Sequence, residues 1–512
     1  EIRTGRKHFY NTIENSGLGQ VSCASCHIDG RFDRLAWDLG DQTGDMLAAT
    51  NRNFFLVPGI TNDFHPMKGP MVTQTLQDII GHEPFHWRGD RDGIEKFAPT
   101  FKNLQGREDE LSDDEMKEFK DFLATITFPP NPFRNLDNSL PISLDTGETA
   151  LGRGFRAAGQ PLPPGNPQRG LILFRGTTTQ SCIPCHTLPS GVGTDARFIN
   201  ARWQNIPLGT NAEHHVAMVA MRRTTELPFK VQQLRNLTDK LGFDLRGPIS
   251  RSGFGFFHDG RVDTLTSFIQ DGFDITSDQD TADLISFLFT FTGSDLPPGS
   301  VTDINRAPGL PSRDTAASVG FQATVTNNVS NQRTLFMMAT ARSATSRVDL
   351  IVHAMTNGQH RAWLMRGTQF ISDKSETNTT AQVLALATPS TPLTFTLVPL
   401  GSGARLALDR DGDGFFNQIE IEAGADPNDP AITPETTTPR LASFRIDSGQ
   451  VHIEWSGRIG SNYRIQIRAA LSDDSPWTDH TDPIPIATNP TAWTESIDLN
   501  ANARFYRIVH IP

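Results

Sequence analysis

Cysteine is scarce in this sequence, and long apolar runs are missing from it. The 512 residues include only four cysteines, and all four fall in two C-x-x-C-H segments. If both segments bind a prosthetic group, no cysteine remains for a disulfide, so the fold must be stable without one. No apolar run approaches the ~20 residues that cross a bilayer, so the sequence predicts no transmembrane segment.

Basic residues are also fewer than acidic ones, with 46 lysines and arginines against 58 aspartates and glutamates. The formal net charge is −12 at pH 7, which argues against nucleic acid or an anionic membrane surface as a partner. The length exceeds what one core holds, so several domains are expected. The chain begins at Glu1 rather than methionine and shows no charged-then-apolar leader, so we expect either a removed signal or a late start.

The cysteines that are present form a repeated motif. Cys23, Cys26 and His27 make the first copy; Cys182, Cys185 and His186 make the second. This motif is typical of c-type haem, in which the two thiols add to the haem vinyl groups and the adjacent imidazole binds the iron. A thioredoxin-like redox pair and a Cys2His2 zinc site are the alternatives, but the histidine spacing of a zinc finger is missing.

Two motifs that use every cysteine favour two covalently bound haem c groups. Because such haem is normally attached outside the cytoplasm, the sequence predicts a periplasmic or extracellular protein.

The surroundings of the two motifs are repeated as well. A short helix is predicted before each motif, at 5–10 and 170–175, and residues 85–91 have a counterpart in 256–261. A closing helix begins at Ser112, where Glu115 completes a capping box, and another begins at about Ser277. This order predicts a tandem duplication of one haem-binding module.

The last third of the chain has the pattern of β-strands. Alternating runs flank Asn357-Gly358, a pair that favours a tight hairpin turn, and further alternating runs follow residue 440.

Between these β-rich stretches lies a twelve-residue calcium loop. Its predicted ligands, at positions one, three, five, seven, nine and twelve, are Asp409, Asp411, Asp413, Phe415 (through its carbonyl), Asn417 and Glu420. The alternative is a solvated acidic loop. Since the following helix ends quickly, we expect a single, structural Ca²⁺ site.

Residues 1 to about 293 resemble the bacterial dihaem cytochrome c peroxidase superfamily. The run 229–236 is similar to the F-K-V-P-T-L-R-N segment of that family, and 257–261 is similar to its F-H-D-G segment. The resemblance implies that His65 binds the first haem iron on its distal side. It also implies that Trp87 lies between the haems as an electron relay.

The sequence departs from the family where the second iron should find its sixth ligand. Asp271-Gly272 stands in place of the methionine of that family, and no tyrosine is present there either. His258 is the favoured replacement. The other candidates are His214, His215, Met218 and Met221, or an open iron. The distal glutamate segment of the family has no match, and Glu95, Glu108 and Glu110 are expected to be solvated.

Three functions follow from these features. The first is a secreted dihaem cytochrome that passes electrons between its haems and a redox partner protein or a small electron donor or acceptor. The second is a dihaem peroxidase or a related oxygen-using enzyme. The third is a surface protein that retains haem units as a scaffold. Loss of the methionine ligand favours the first and leaves enzymatic activity open.

The predicted fold class is multidomain: two mainly α, class I cytochrome c-like haem domains followed by all-β domains. The predicted segments are the first haem domain (1–128), a Pro-rich linker (129–165), the second haem domain (166–296), a β-domain (297–405), the calcium loop (406–432) and a β-sandwich-like domain (433–512). The C-terminal β-domains are expected to serve cell-surface or complex docking.

Overall fold

The computed structural model divides into two compact units, Glu1–Ala317 and Ser318–Pro512. It describes residues 2–40, 43–48, 53–55, 63–64, 69–176, 181–200, 202–209, 214–220, 228–241, 255–273, 275–299, 312–458, 460–471, 475–488, 490–497 and 503–511. The finer division into six segments stays a prediction. Within the described part of the chain, each helix is too short or too polar to cross a lipid bilayer.

The first unit is built from helices and very short strands. Its described helices are α1 (Ile2–Tyr10), α2 (Thr12–Asn15), α3 (Cys23–Cys26), α4 (Ala98–Asn103), α5 (Asp113–Leu123), α6 (Pro167–Phe174), α7 (Leu265–Phe273) and α8 (Asp278–Phe289). Its described strands are β1 (Ala36–Trp37), β2 (Leu47–Ala48), β3 (Asn53–Phe55), β4 (Asp63–Phe64), β5 (Met71–Val72), β6 (Ala196–Ile199), β7 (Arg202–Asn205), β8 (Val216–Ala220) and β9 (Pro228–Lys230).

Two helix pairs organise this unit. We call residues 1–128 the first lobe and residues 166–296 the second lobe. Helix α1 packs on α5 in the first lobe, and α6 packs on α8 in the second. The contact is close because a glycine faces the partner helix each time: a Cβ on Gly5 would overlap the Glu118 carbonyl, and one on Gly170 would overlap the Asp283 carbonyl.

The closing helices begin where the sequence predicts. The Ser112 hydroxyl accepts from the Glu115 amide and Glu115 accepts from the Ser112 amide, at 3.3 and 2.8 Å, so the capping box that starts α5 is present. Ser277 caps α8. The Pro-rich segment 129–165 packs against the second lobe, since its Ala150 and Leu162 are buried in the core of that lobe.

The second unit contains the rest of the secondary structure. Its described helices are α9 (Gln332–Arg342), α10 (Thr380–Leu384), α11 (Gly403–Ala407), α12 (Asn417–Ala423) and α13 (Pro434–Thr437). Its described strands are β10 (Gln322–Val325), β11 (Val348–Thr356), β12 (Gln359–Arg366), β13 (Gln369–Ser372), β14 (Thr377–Thr379), β15 (Leu393–Pro399), β16 (Arg440–Asp447), β17 (Gln450–Ser456), β18 (Asn462–Arg468), β19 (Thr478–Asp479), β20 (Ile484–Pro485), β21 (Thr491–Ser496) and β22 (Phe505–Ile511).

Antiparallel sheets dominate this unit, which confirms its predicted β-rich character. One sheet has six strands in the order β10-β15-β11-β12-β13-β14. Asn357 and Gly358 turn the β11–β12 hairpin with φ of 51° and 76°, as a two-residue primed turn requires. The unit is not purely β, however. The Asn331 side chain caps α9, which buries Met337 and Met338 and packs on β11 and β15.

The C-terminal strands form two facing sheets. One has the order β16-β17-β21, and in the other β18 pairs with β19, β20 and β22. Trp455 of β17 and Tyr463 of β18 are buried in one shared core. The prediction of helices followed by β-rich domains therefore holds, while the class I cytochrome c-like character of the two lobes stays a prediction.

Candidate functional site

The first C-x-x-C-H motif forms one helical turn. The His27 amide donates to the Cys23 carbonyl at 2.9 Å, which places both thiols and the imidazole on that turn. His27 Nδ1 donates to the Gln74 carbonyl at 2.8 Å. Because a carbonyl can only accept, Nδ1 carries the proton and Nε2 carries the lone pair.

The second motif repeats this arrangement with a different carbonyl. The amides of Cys185 and His186 donate to the Cys182 carbonyl at 3.2 and 3.1 Å. His186 Nδ1 donates to the Gly191 carbonyl at 2.8 Å, so its Nε2 is again the basic atom. Both motifs thus present a fixed imidazole beside two thiols.

Burial keeps these groups uncharged. It raises the pKa of Cys23 to about 11 and the pKa of both Cys182 and Cys185 to about 12. Burial also lowers the pKa of His27, and lowers that of His186 to about 4. None of the four thiols is in a disulfide. A reactive redox thiol needs a lowered pKa, so this environment disfavours thioredoxin-like chemistry.

The donor set fits a haem c group. A neutral imidazole whose Nδ1–H is held by a carbonyl is the usual form of an iron-ligating histidine, because that hydrogen bond fixes the ring and its tautomer. The two adjacent thiols would provide the covalent attachment, and the apolar side chains packed around Cys23 and Cys182 suit a porphyrin.

The two lobes meet along a seam with internal two-fold symmetry. In one direction the Val72 amide donates to the His258 carbonyl, and in the other the Lys230 amide donates to the Trp87 carbonyl, each at 2.7 Å. Gln74 and Gln232, which occupy equivalent positions, hydrogen-bond to each other at 2.5 Å. The duplicated segments therefore pair with each other across the seam.

The turns that carry Trp87 and His258 are equivalent as well. Bridges Phe85–Arg91 and Phe256–Val262 close them. The residue before Trp87 and the residue before His258 both have φ of 66°. A duplicated turn is therefore present in each lobe, and the tryptophan of one corresponds to the histidine of the other.

Trp87 and His258 lie beside each other at this seam. Their ring centroids are 6.2 Å apart, and the His258 ring stacks on Phe229 at 3.9 Å. Trp87 is buried, and its indole N–H donates to the Val72 carbonyl at 2.7 Å. The Lys240 ammonium lies 5.6 Å from the Trp87 ring centroid. The seam thus holds three adjacent rings in a fixed arrangement.

The other ligand candidates are only partly described. His65 and Met221 lie outside the described residues, as does the side chain of Met218. His215 is tied to the Pro207 carbonyl through Nε2 at 2.8 Å, and the amide of His215 donates to the Thr194 carbonyl. The structure therefore leaves the sixth ligands as predictions.

The three glutamates expected to be solvated are exposed. Glu95 accepts from Lys120 at 2.6 Å, and Glu108 and Glu110 lie on the surface.

A buried ion network, which the sequence analysis missed, joins the lobes. Asp78 of the first lobe accepts from Arg235 of the second at 2.6 Å and from the Arg313 side chain at 2.8 Å. The Arg235 guanidinium also lies 4.4 Å from the centroid of the Phe128 ring. No local pattern marks Asp78, because its partners are 157 and 235 residues away.

The predicted calcium loop lies between α11 and α12. Carboxylate oxygens of Asp409, Asp411 and Asp413 lie within 4.8 Å of one another. Backbone amides hold them there: Gly412 donates to Asp409 at 2.7 Å and Phe415 donates to Asp413 at 2.8 Å. The loop is therefore pre-shaped around its acidic groups.

Glu420 closes this loop. It is fully buried, and neither of its carboxylate oxygens has a hydrogen-bond partner among the described residues. Burial and the charges of Asp411, Asp413, Asp409 and Asp426 raise its pKa to about 7. Asn417, predicted at position nine, accepts from the Arg410 amide at 2.9 Å, and its role as a ligand stays a prediction. A buried carboxylate beside three others suits a hard divalent cation.

Comparisons with known proteins place this chain in no family. No protein-family model and no curated protein match it. Among solved structures, hydrazine synthase from Kuenenia stuttgartiensis is similar over 56% of this chain and 86% of that one, with 17% sequence identity and a TM-score of 0.34. A likeness at this level supports no inference about function.

Proposed function

We propose that this protein is a secreted dihaem c-type cytochrome. It would carry one covalently bound haem in each lobe and pass electrons between them and an external redox partner. Because covalent haem is normally attached outside the cytoplasm, the proposal places the protein in the periplasm or outside the cell.

The histidine geometry carries this proposal. In both lobes the imidazole that follows the two cysteines donates its Nδ1–H to a backbone carbonyl at 2.8 Å and keeps its Nε2 lone pair. This tautomer, present in both motifs, is the one that an iron-ligating histidine needs. Bound haem would supply one-electron chemistry at an iron whose potential depends on its axial ligands.

The residues at the seam would assist electron transfer between the two haems. Trp87 and His258 would bring aromatic rings between the two haems, and their backbone carbonyls are fixed by Lys230 and Val72. A rigid contact of this kind supports electron tunnelling without a change of shape. His65 remains the proposed sixth ligand of the first haem, and His258 that of the second.

Haem counting tests the proposal. The purified protein should carry two covalent haems by mass spectrometry and by the pyridine haemochrome spectrum. Replacing Cys23 and Cys26 by alanine should remove one haem, and replacing Cys182 and Cys185 should remove the other. Zinc bound to the sulfurs, or a chain with no porphyrin, would disprove the proposal.

Spin-state spectroscopy tests the ligands and separates a carrier from a peroxidase. Two low-spin irons that do not respond to hydrogen peroxide would identify an electron carrier, whereas a high-spin iron that turns over peroxide would identify an enzyme. If His258 binds the second iron, His258→Ala should convert that haem to high spin. A low-spin second haem in this variant would remove His258 as the ligand.

We also propose that the loop 409–420 binds one Ca²⁺ ion. The support is the fully buried Glu420 carboxylate, which has no hydrogen-bond partner in the part of the chain that the structure describes and lies near three further acids. Calcium would neutralise this cluster. Helix α12, which carries Glu420, is fixed to the sheet because the Gln418 amide donates to the Asp373 carbonyl at 3.3 Å. The site is therefore proposed to be structural, supporting a unit whose β-domains dock to other surfaces.

A further inference from the structure

Two histidines lie together on one face of the six-stranded sheet. His353 is on β11 and His360 on β12, and the register places them diagonally, since His353 faces Ala362 and His360 faces Met355. His353 Nδ1 and His360 Nε2 are 3.0 Å apart, and the ring centroids are 4.9 Å apart. A two-residue turn joins the strands, so the spacing of the two rings is set by a short, hydrogen-bonded hairpin.

The burial of His353 leaves a nitrogen lone pair available on its ring. Burial, with the nearby His360 and Arg410, lowers the pKa of His353 to about 4, so its ring is neutral at neutral pH. In a neutral pair one of the two facing nitrogens holds the shared proton. Moving that proton to the far nitrogen of the same ring directs both lone pairs into the space between the rings, with no net loss of a proton.

The facing nitrogens lie at a hydrogen-bond distance that a bound ion would replace, and this distance is close to the separation of two nitrogens on one metal ion. With metal–nitrogen bonds of about 2.0–2.1 Å, a 3.0 Å separation corresponds to a nitrogen–metal–nitrogen angle of about 94°. A tetrahedral ion would need about 3.3 Å between the same atoms. An angle near 90° suits the square-planar or tetragonal geometry of Cu²⁺ and Ni²⁺ better than zinc.

The surroundings allow an ion to reach this pair. His360 is exposed and His353 is half-buried, so the remaining coordination positions open toward solvent. The charged groups that influence the pair are the Arg410 guanidinium near His353 and the Asp373 carboxylate near His360. Asp373 also binds Arg361 at 2.7 Å, so Arg410 is left as a positive charge near His353, and a bound cation has to be accommodated beside it.

We propose that His353 and His360 form a binding site for Cu²⁺ or Ni²⁺ on the second unit. This site is separate from the haem motifs and from the calcium loop, and it uses a different ligand chemistry, since imidazole nitrogen favours borderline transition metals and carboxylate oxygen favours calcium. The proposal does not rest on the haem or calcium proposals.

Copper titration of the full chain tests this site. The protein is loaded with Ca²⁺ to occupy the loop and then titrated with Cu²⁺, with bound metal counted by equilibrium dialysis and nitrogen coupling read by electron paramagnetic resonance. Wild type should bind one more Cu²⁺ ion than His360→Ala. Loss of groups that only support metal ligands weakens binding about 10–100-fold, so losing a ligand should cost roughly as much or more.

Two further variants make the result decisive. His360→Asn keeps a hydrogen-bonding group beside His353 and should preserve the fold while losing the copper site. His452→Ala removes a histidine of β17 that hydrogen-bonds only to Thr494 in its described contacts, and it should leave copper binding unchanged. Equal copper binding by wild type and His360→Ala, or no preference for Cu²⁺ over Zn²⁺, would overturn the proposal.

Discussion

At the scale of single residues, Glu420 is a buried acid of the second unit whose charge must be neutralised. Its carboxylate is fully buried, and its pKa is raised to about 7 by burial and by neighbouring acids. A raised folded-state pKa means that the folded protein holds a proton that the unfolded chain releases near pH 4.3. Without calcium, stability should therefore fall as the pH rises from about 4 to 7 and then level off.

The effect of Glu420→Gln on stability should change sign when calcium is added. At pH 8 in chelator, the variant should be more stable than wild type, because the neutral amide removes a buried charge. With calcium at a hundredfold excess over Kd, wild type should gain about 5–10 °C in Tm and the variant much less. Differential scanning calorimetry measures both. The exposed Glu435→Gln should behave like wild type, and a calcium response retained in Glu420→Gln would exclude Glu420 as a ligand.

At the scale of helices and strands, features that depend on a few neighbouring residues can be predicted from the sequence. The Ser112–Glu115 capping box, the turn at Asn357-Gly358 and the spacing of the calcium loop are all read from a few neighbouring residues. Helix α9 was missed, because strand-like runs surround it. The order of the six-stranded sheet was also beyond prediction, since β10 pairs with β15 across about seventy residues.

Alanine in place of Gly5 or Gly170 should have the opposite effect on stability from alanine in place of an ordinary helical glycine. Gly5→Ala and Gly170→Ala should each destabilise the first unit by about 1–3 kcal/mol, because the added methyl collides with backbone of the facing helix. Gly272→Ala, in α7 with open space around its Cα, should instead be neutral or stabilise by up to ~1 kcal/mol. Urea unfolding of the three variants measures this. Equal effects at all three positions would show that helix packing in the lobes is not close.

At the scale of the whole molecule, the duplication was visible in the sequence, but the seam between its copies was not. The repeated motifs and turns predict two similar lobes. The hydrogen bonds that join the lobes connect Val72 to His258 and Gln74 to Gln232, and nothing in the sequence predicts that these distant residues pair. The candidate ligands were likewise found only where a local motif marks them, as at His27 and His186.

Asp78 is the residue through which the joining of the lobes can be tested. Burial alone would raise its pKa, but a hydrogen bond from His82, the charge of Arg235 and a hydrogen bond from the Arg313 amide lower it well below the usual range. A lowered folded-state pKa gives stability that is present above about pH 3.9 and is lost only as the pH falls through the lower value. The network should therefore hold the lobes together across the neutral and mildly acidic range.

Asp78→Asn should destabilise the first unit by about 1–3 kcal/mol at pH 7, because buried Arg235 and the Arg313 amide would lose a charged hydrogen-bond partner, although the Asp314 carboxylate still acts on Arg235. The difference from wild type should shrink at strongly acidic pH, below about 3.9, because the unfolded chain then takes up the proton on Asp78 while the folded protein still holds the carboxylate ionised. Asp121→Asn, which breaks only an exposed pair with Lys117, should cost less than about 0.5 kcal/mol. If Asp78→Asn costs no more than Asp121→Asn in urea unfolding, the ion network does not hold the lobes together, and the backbone pairs at Val72 and Lys230 must do so instead.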